Sequence, residues 1–286
     1  MKATTPHGEP LRSIDDCRIL VDGTVGEVRL DHPECVIVGP DGAVWCGGER
    51  GQVYRVEADG SGLREVATTG GFSLGMAFGP DGRLYVCDLA TASVKRVDVD
   101  SGAVETFATG TPERPLVAPN YPLFDAAGRL YVSDSGSADR RGPGIYRFTL
   151  DGGAELWHAG PLAFANGLAL DADERFLYVV ETFGQQISRI AIEPDGAAGA
   201  REPFAALEVL ADGIAFDDRG RLYVGCYEPS QVLRVEPDGT VRTLVADATA
   251  HTLCHPTNVA LLGDTLLTAN LGRWHITSLD LDSEEK

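Results

Sequence analysis

Asparagine is scarce in this 286-residue chain, and its four copies are not scattered. Asn120, Asn166 and Asn258 each stand eight to eleven residues before the first apolar residue of a short β-type run such as Leu-Tyr-Val. Glu34, Leu74 and Asp212 hold the same offset before three similar runs, so five of the six positions carry a side-chain oxygen. The fourth asparagine, Asn270, ends the last of these runs. Singly, such residues read as turn markers, because Asn-Gly and Asp-Gly pairs are common where a chain reverses. A shared offset instead gathers polar groups on one rim. Two carboxylates with neutral amide oxygens make a hard donor set suited to Ca²⁺ or Mg²⁺. Without a cation the carboxylates would repel and one would hold a proton. No Cys or His shares the offset, which disfavours softer metals. His255, three residues before Asn258, reads as a hydrogen-bonded structural histidine.

The elements that must position these residues form a repeat. Six segments share a turn carrying Asp or Gly followed by a β-type run, in register at Val44, Leu84, Leu130, Leu177, Leu222 and Leu266, with steps of 40, 46, 47, 45 and 44 residues. A period near 45 is that of a four-stranded propeller blade. Asp-Gly between apolar runs makes a hairpin, and alternating runs such as Gln52-Val53-Tyr54-Arg55-Val56 supply third strands. The expected fold is all-β, a six-bladed β-propeller with four-stranded antiparallel blades in one domain spanning 1–286, with 1–10 and 282–286 frayed. The sixth repeat has only about three strands, whereas Cys17–Val21 has no partner near it. That N-terminal strand is expected to complete blade six and close the ring, which removes exposed sheet edges. First strands line the channel of a propeller, so the six offset residues meet at its mouth. A TIM barrel needs a helix after every strand, and 34 Gly with 16 Pro forbid eight of them.

Composition narrows the function. A net charge of −19 with no basic cluster beyond Arg140-Arg141 excludes nucleic acid and anionic membrane as partners. Neither a membrane-length apolar run nor a signal pattern occurs, so a cytoplasmic protein is expected. The six cysteines lack CxxC spacing and read as reduced, packed thiols. No Gly-x-Ser-x-Gly elbow or Walker loop is present.

Phe164-Ala165-Asn166-Gly167-Leu168-Ala169-Leu170-Asp171, Leu210-Ala211-Asp212-Gly213-Ile214-Ala215-Phe216-Asp217 and Gly220–Tyr227, with Pro33-Glu34 and Pro119-Asn120, resemble the senescence-marker-protein/gluconolactonase (regucalcin-like) family over about residues 27 to 275. Strictosidine-synthase-like and paraoxonase-like propellers are more distantly similar. The resemblance implies one divalent cation at the channel mouth, held by Glu34, Asn166 and Asp212, with Asn120 touching substrate or a water. It implies hydrolysis of sugar lactones or related esters. The chain departs from the family pattern at Tyr121-Pro122, where Asp-Gly is common, at Ala118, where sugar-acid lactonases often place an arginine, and in the loop Asp134–Pro143. These departures bear on the substrate and leave the metal residues untouched.

The resulting expectation is a metal-dependent lactonase opening a sugar lactone or similar cyclic ester, with Asp212 as acid/base. One divalent cation is expected, Ca²⁺ first and Mg²⁺, Mn²⁺, Zn²⁺ or Fe²⁺ as alternatives. Asn120, Asn258 and Asn270 are the expected substrate-side residues, and Asp134 and Glu181 read as solvated rim acids. Two alternatives stand beside it: a propeller that binds a ligand or protein without turnover, and a strictosidine-synthase-like condensing enzyme, which needs no metal.

Overall fold

The run Leu84-Tyr85-Val86-Cys87-Asp88 is buried at every position, and so is Leu130-Tyr131-Val132-Ser133-Asp134. A strand covered on both faces must lie inside a stack of sheets, and here the stack closes on itself. The computed structural model describes residues 6–137 and 142–281. Among them are 24 strands, β1 to β24 in chain order, in six four-stranded antiparallel sheets. The first strands are β2 (Val36–Val38), β6 (Ser73–Phe78), β10 (Pro119–Phe124), β14 (Ala165–Leu170), β18 (Leu210–Phe216) and β22 (Pro256–Leu262). Each neighbours the next around the ring, and β22 returns to β2. The fold is a six-bladed β-propeller, as the repeat predicts.

Blade six is ordered β1-β24-β23-β22, with β1 (Arg18–Asp22) outermost on β24 (His275–Asp280). The N-terminal strand therefore closes the ring as expected. The ends expected to fray lie partly outside the described residues. Within them, His7 Nε2 meets the Leu207 carbonyl at 2.5 Å, and Leu11 and Arg12 donate backbone N–H to the carbonyls of Thr243 and Leu244. Leu11 and Arg12 are thereby tied to blade five.

Apolar clusters fill the spaces between successive blades. The aromatic at the second position of the run acts as a wedge. Trp45 meets Phe78 of the next blade edge-on at 5.3 Å, Tyr85 meets Phe124 at 5.0 Å, and Tyr178 meets Phe216 at 5.0 Å. Such pairs add about 0.5–1.5 kcal/mol each beyond the area they bury. Among the described residues, no helix is long and apolar enough to cross a membrane.

One irregularity repeats and sets up the site. In β6, Ser73 pairs with Asp88 and Met76 with Val86, so Leu74-Gly75 together oppose a single residue. The same bulge places Asn120-Tyr121, Asn166-Gly167 and Asp212-Gly213. Bulges re-aim side chains, and here they aim the first residue of each pair at the channel mouth. In blade six the pairing runs from Pro256↔Asn270 through Asn258↔Ala269 to Val259↔Thr268. Thr257 is therefore the residue equivalent to Asp212, and Asn258 lies one step further along the strand. The hairpin of this blade is one residue shorter than most, so the matching offset is nine residues and not the expected eight.

Candidate active site

Glu34, Asn120 and Asn166 are buried at the mouth end of the channel, and Asp212 is half-buried there. Three of these four come into electrostatic contact. The Asp212 carboxyl is pushed up to about 8 by burial, against the hydrogen bond it shares with the Asn166 side chain. Glu34 is raised well above its ordinary range, by burial first and by the charge of Asp212 second. Two buried carboxyls that cannot both ionise form a site that favours protons or a cation.

The asparagines are held by a repeated relay. Asn166 Nδ2 donates to Thr182 Oγ1 (3.2 Å), which donates to the carbonyl of Ala211, the residue before Asp212 (2.8 Å). One blade earlier, Asn120 Nδ2 donates to Ser135 Oγ (3.1 Å), which donates to the carbonyl of Ala165, the residue before Asn166 (2.6 Å). Engaging the amide nitrogens leaves the amide oxygens as the free ends. Asn166 Oδ1 is buried without any hydrogen-bond partner. A buried acceptor without a donor costs about 1–3 kcal/mol, and an electrophile in the channel would remove that penalty. The donor set of two carboxylates and an orphaned amide oxygen therefore fits a hard divalent cation.

Below this tier the channel has a floor. Tyr121 hydrogen-bonds Asn258, and burial pushes its phenol above the usual range. Blades three and six face each other across the ring, so this contact spans the channel. Glycine makes the room: a Cβ on Gly75 would lie 2.6 Å from the Tyr121 ring, and one on Gly213 would lie 2.4 Å from Asn258 Nδ2. On the far side is a separate recess lined by Val38, Met76, Phe78 and Leu123. Asn258 Oδ1 also accepts from the Val36 N–H (3.5 Å), while Thr257 Oγ1 donates to the Glu34 carbonyl (2.6 Å).

The ends of the second strands anchor the loops that approach the rim. Asp134, which ends β11 (Leu130–Asp134), accepts from the N–H groups of Val117 (2.7 Å), Ala118 (3.0 Å) and Gly136 (2.8 Å). Glu181, which ends β15 (Phe176–Glu181), accepts from Ala163 N–H (2.9 Å), and Asn270, which ends β23 (Thr265–Asn270), from Cys254 N–H (2.9 Å). The anchored N–H groups of Val117, Ala163 and Cys254 each lie three residues before the rim residue of their blade, which independently puts Thr257 at the rim. Asp134 and Glu181 are buried and not solvated rim acids as expected. Burial raises Asp134 despite its backbone donors, whereas Glu181 is held low because hydrogen bonds led by Ser188 outweigh burial. Asn270 is fully buried, with Nδ2 donating to the Thr268 carbonyl (3.0 Å). It faces its own blade and approach loop, not the opening.

His255 is hydrogen-bonded, as expected. Its Nδ1 meets the Tyr227 carbonyl at 2.7 Å and its ring stacks on Tyr227 at 4.6 Å. The backbone of Phe164 (φ 67°) and His255 (φ 49°) is left-handed, two residues before Asn166 and Thr257. That conformation costs a non-glycine residue about 1–2 kcal/mol, and both occurrences frame the mouth. Five of the six cysteines are buried and all are free. Among the described residues a second group, Asp31, His32 and Glu49, brings ligand atoms within 4.8 Å of one another. Its Asp31 is already neutralised by Arg50 (2.8 Å) and hydrogen-bonded by Gln52 (3.0 Å). Ser135, Thr182, Thr257 and Tyr121 have structural parts in the site that the offset alone does not reveal.

Among solved structures, a gluconolactonase from Xanthomonas campestris superposes with a TM-score of 0.77 at 21% identity, covering 92% of this chain and 89% of that one. A virginiamycin B lyase from Staphylococcus aureus reaches 0.66 at 17%, covering 91% and 85%. At these identities the likeness is one of fold. Among curated proteins, a gluconolactonase of Zymomonas mobilis is 28% identical over 195 residues, 61% of this chain and 54% of its own length. A lactonase drp35 of Staphylococcus saprophyticus is 30% identical over 172 residues, 56% of this chain and 52% of its own. The chain thus spans about half the length of the curated relatives it matches. The family model described as SMP-30/gluconolactonase/LRE-like region matches residues 32–271, most of the propeller, and the chain belongs to that family.

Proposed function

We propose that this protein hydrolyses a lactone at the channel mouth and depends on one divalent cation held by Glu34, Asn166 and Asp212. The observation that carries the reading is the orphaned Asn166 Oδ1 beside two mutually repelling carboxyls. The relatives named gluconolactonase and lactonase support the reaction class. When bound, a hard divalent cation would polarise the lactone carbonyl and acidify a water, with Ca²⁺ the first candidate. Glu34 and Asn166 are holding groups. Asp212 is the residue of the set with access from the mouth, so it takes the proton of the attacking water and returns it to the ring oxygen as that C–O bond breaks. Asn120 is fixed by Ser135 with its amide oxygen free to orient the substrate or a water. Tyr121 and Asn258 meet across the channel below the rim, on the side away from the entering substrate.

Chelation tests the proposal. Protein stripped with EDTA and verified metal-free by mass spectrometry is expected to lose at least 100-fold in the rate of acid release from a simple lactone, and to regain it when Ca²⁺, Mg²⁺ or Mn²⁺ is added. Undiminished turnover by metal-free protein would refute the cation. Absence of turnover on any lactone, with or without metal, would favour the non-catalytic propeller.

A further inference from the structure

We infer that the lactone taken at this mouth carries an apolar substituent, an alkyl chain or an aromatic group, rather than a set of hydroxyls; the inference rests on the lactonase reading above. Among the described residues, eight large hydrophobic side chains are exposed, and Leu11, Ile19 and Val25 belong to the N-terminal segment. The other five, Leu89, Val117, Phe183, Tyr227 and Trp274, stand where second strands end, in the loops from second to third strands, or in the segment leading into a first strand, which is the rim end of the blades. Single exposed hydrophobics scattered over a surface need no explanation, but five of them at one end of the blades do.

Each is tied to the rim by a short path. Leu89 follows the end of β7 (Leu84–Asp88). Val117 is held by Asp134, three residues before Asn120. Phe183 directly follows Thr182, the hydroxyl that fixes Asn166, and packs 4.8 Å from the strained Phe164. Tyr227 stacks on His255 at 4.6 Å and an interplanar angle of 24°. Trp274 packs against His32, two residues before Glu34.

Among the described residues, several polar groups beside them are already engaged, whereas the Glu228 carboxylate next to Tyr227 stays exposed. The Ser135 and Thr182 hydroxyls donate to backbone carbonyls, and His255 Nδ1 meets the Tyr227 carbonyl. A polyhydroxylated ring needs a free partner for each hydroxyl it loses from water. These five side chains offer rings and methyls, which reward a substituent for leaving water.

The test is a homologous series of γ-lactones with methyl to octyl substituents, compared with glucono-δ-lactone. Burying a methylene corresponds to about a fourfold gain at most, so kcat/KM is expected to rise roughly two- to fourfold per carbon over the first several. The octyl compound should exceed gluconolactone by roughly 100-fold or more. The double variant Phe183→Ser, Tyr227→Ser, with folding checked by its melting curve, is expected to lower the octyl-to-methyl ratio at least tenfold. A flat series in an enzyme that turns over the small lactones, or a preference for gluconolactone, would overturn the inference while leaving lactone hydrolysis standing. A dimer that the double variant dissolves, with the octyl-to-methyl ratio unchanged, would overturn it in favour of a subunit interface. No turnover of any lactone would remove the reading beneath it as well.

Discussion

Asp212→Asn is expected to reduce kcat/KM for lactone hydrolysis by at least ~10³-fold, about 4 kcal/mol of transition-state stabilisation. Asparagine is nearly isosteric and can keep the contact with Asn166, but it neither accepts the proton of the attacking water nor balances a divalent charge. The same substitution is expected to stabilise the metal-free protein, because Glu34 loses the neighbouring charge that opposes its ionisation. The gain is larger near pH 8 and smaller near pH 5, where Asp212 still carries its proton. Loss of activity with gain of stability is the signature of a functional carboxylate. A variant inactive because it is misfolded would lose both. Steady-state kinetics and calorimetry on one preparation check the pair, and activity within tenfold of wild type would refute the role of Asp212.

The second large effect is the coupling of cation, pH and stability. Asp212 and Glu34 have folded-state pKa values above those of the unfolded chain. Between pH about 4 and 8 the unfolded state has released these protons while the folded state keeps them. The stability they confer is therefore complete at low pH and is lost as pH rises towards 8. Carboxylates held low by their hydrogen-bond donors, such as Asp247 at about 2, have the opposite slope but finish titrating below pH 5. The difference between wild type and Asp212→Asn isolates the pair. In chelator, wild-type Tm should fall relative to the variant from pH 5 to pH 8. Ca²⁺ at about 100 times its dissociation constant contributes about 2.7 kcal/mol, or roughly 5–10 °C in a domain of this size. The shift should be larger at pH 8 than at pH 5, because the cation competes with protons for the same oxygens. A chelated protein that gains stability over this range relative to the variant, or a melt indifferent to every cation, would contradict the site.

What could be read from the chain divides along physical lines. The blades are local objects: a turn at Asp-Gly followed by Leu-Tyr-Val announces a hairpin wherever it stands, so six copies announce six blades. The closing strand was readable because Cys17–Val21 had no partner nearby and blade six lacked one. Glu34, Asn120, Asn166 and Asp212 share an offset that the sequence shows, because the turns before their register residues differ little in length. In blade six a shorter hairpin puts Thr257, one residue before Asn258, at the equivalent rim position. Bulges leave no mark in composition, so only the strand register reveals that step.

The anchors were harder still. Asp134 and Glu181 are acidic and near the mouth, and their burial depends on backbone donors from a loop whose path the sequence does not encode. A signal for the hydroxyl relay was present, since Asp134-Ser135 and Glu181-Thr182 place a hydroxyl directly after the anchoring acid. The floor was out of reach, because Tyr121 and Asn258 are far apart in sequence and meet only across the closed ring.

The most direct test of the central claim is anomalous diffraction from crystals grown with Mn²⁺. The predicted result is a single strong peak on the channel axis with carboxylate oxygens of Glu34 and Asp212 and Oδ1 of Asn166 about 2.0–2.6 Å away. A peak only at Asp31, His32 and Glu49, or those three channel side chains diverging around solvent, would contradict it.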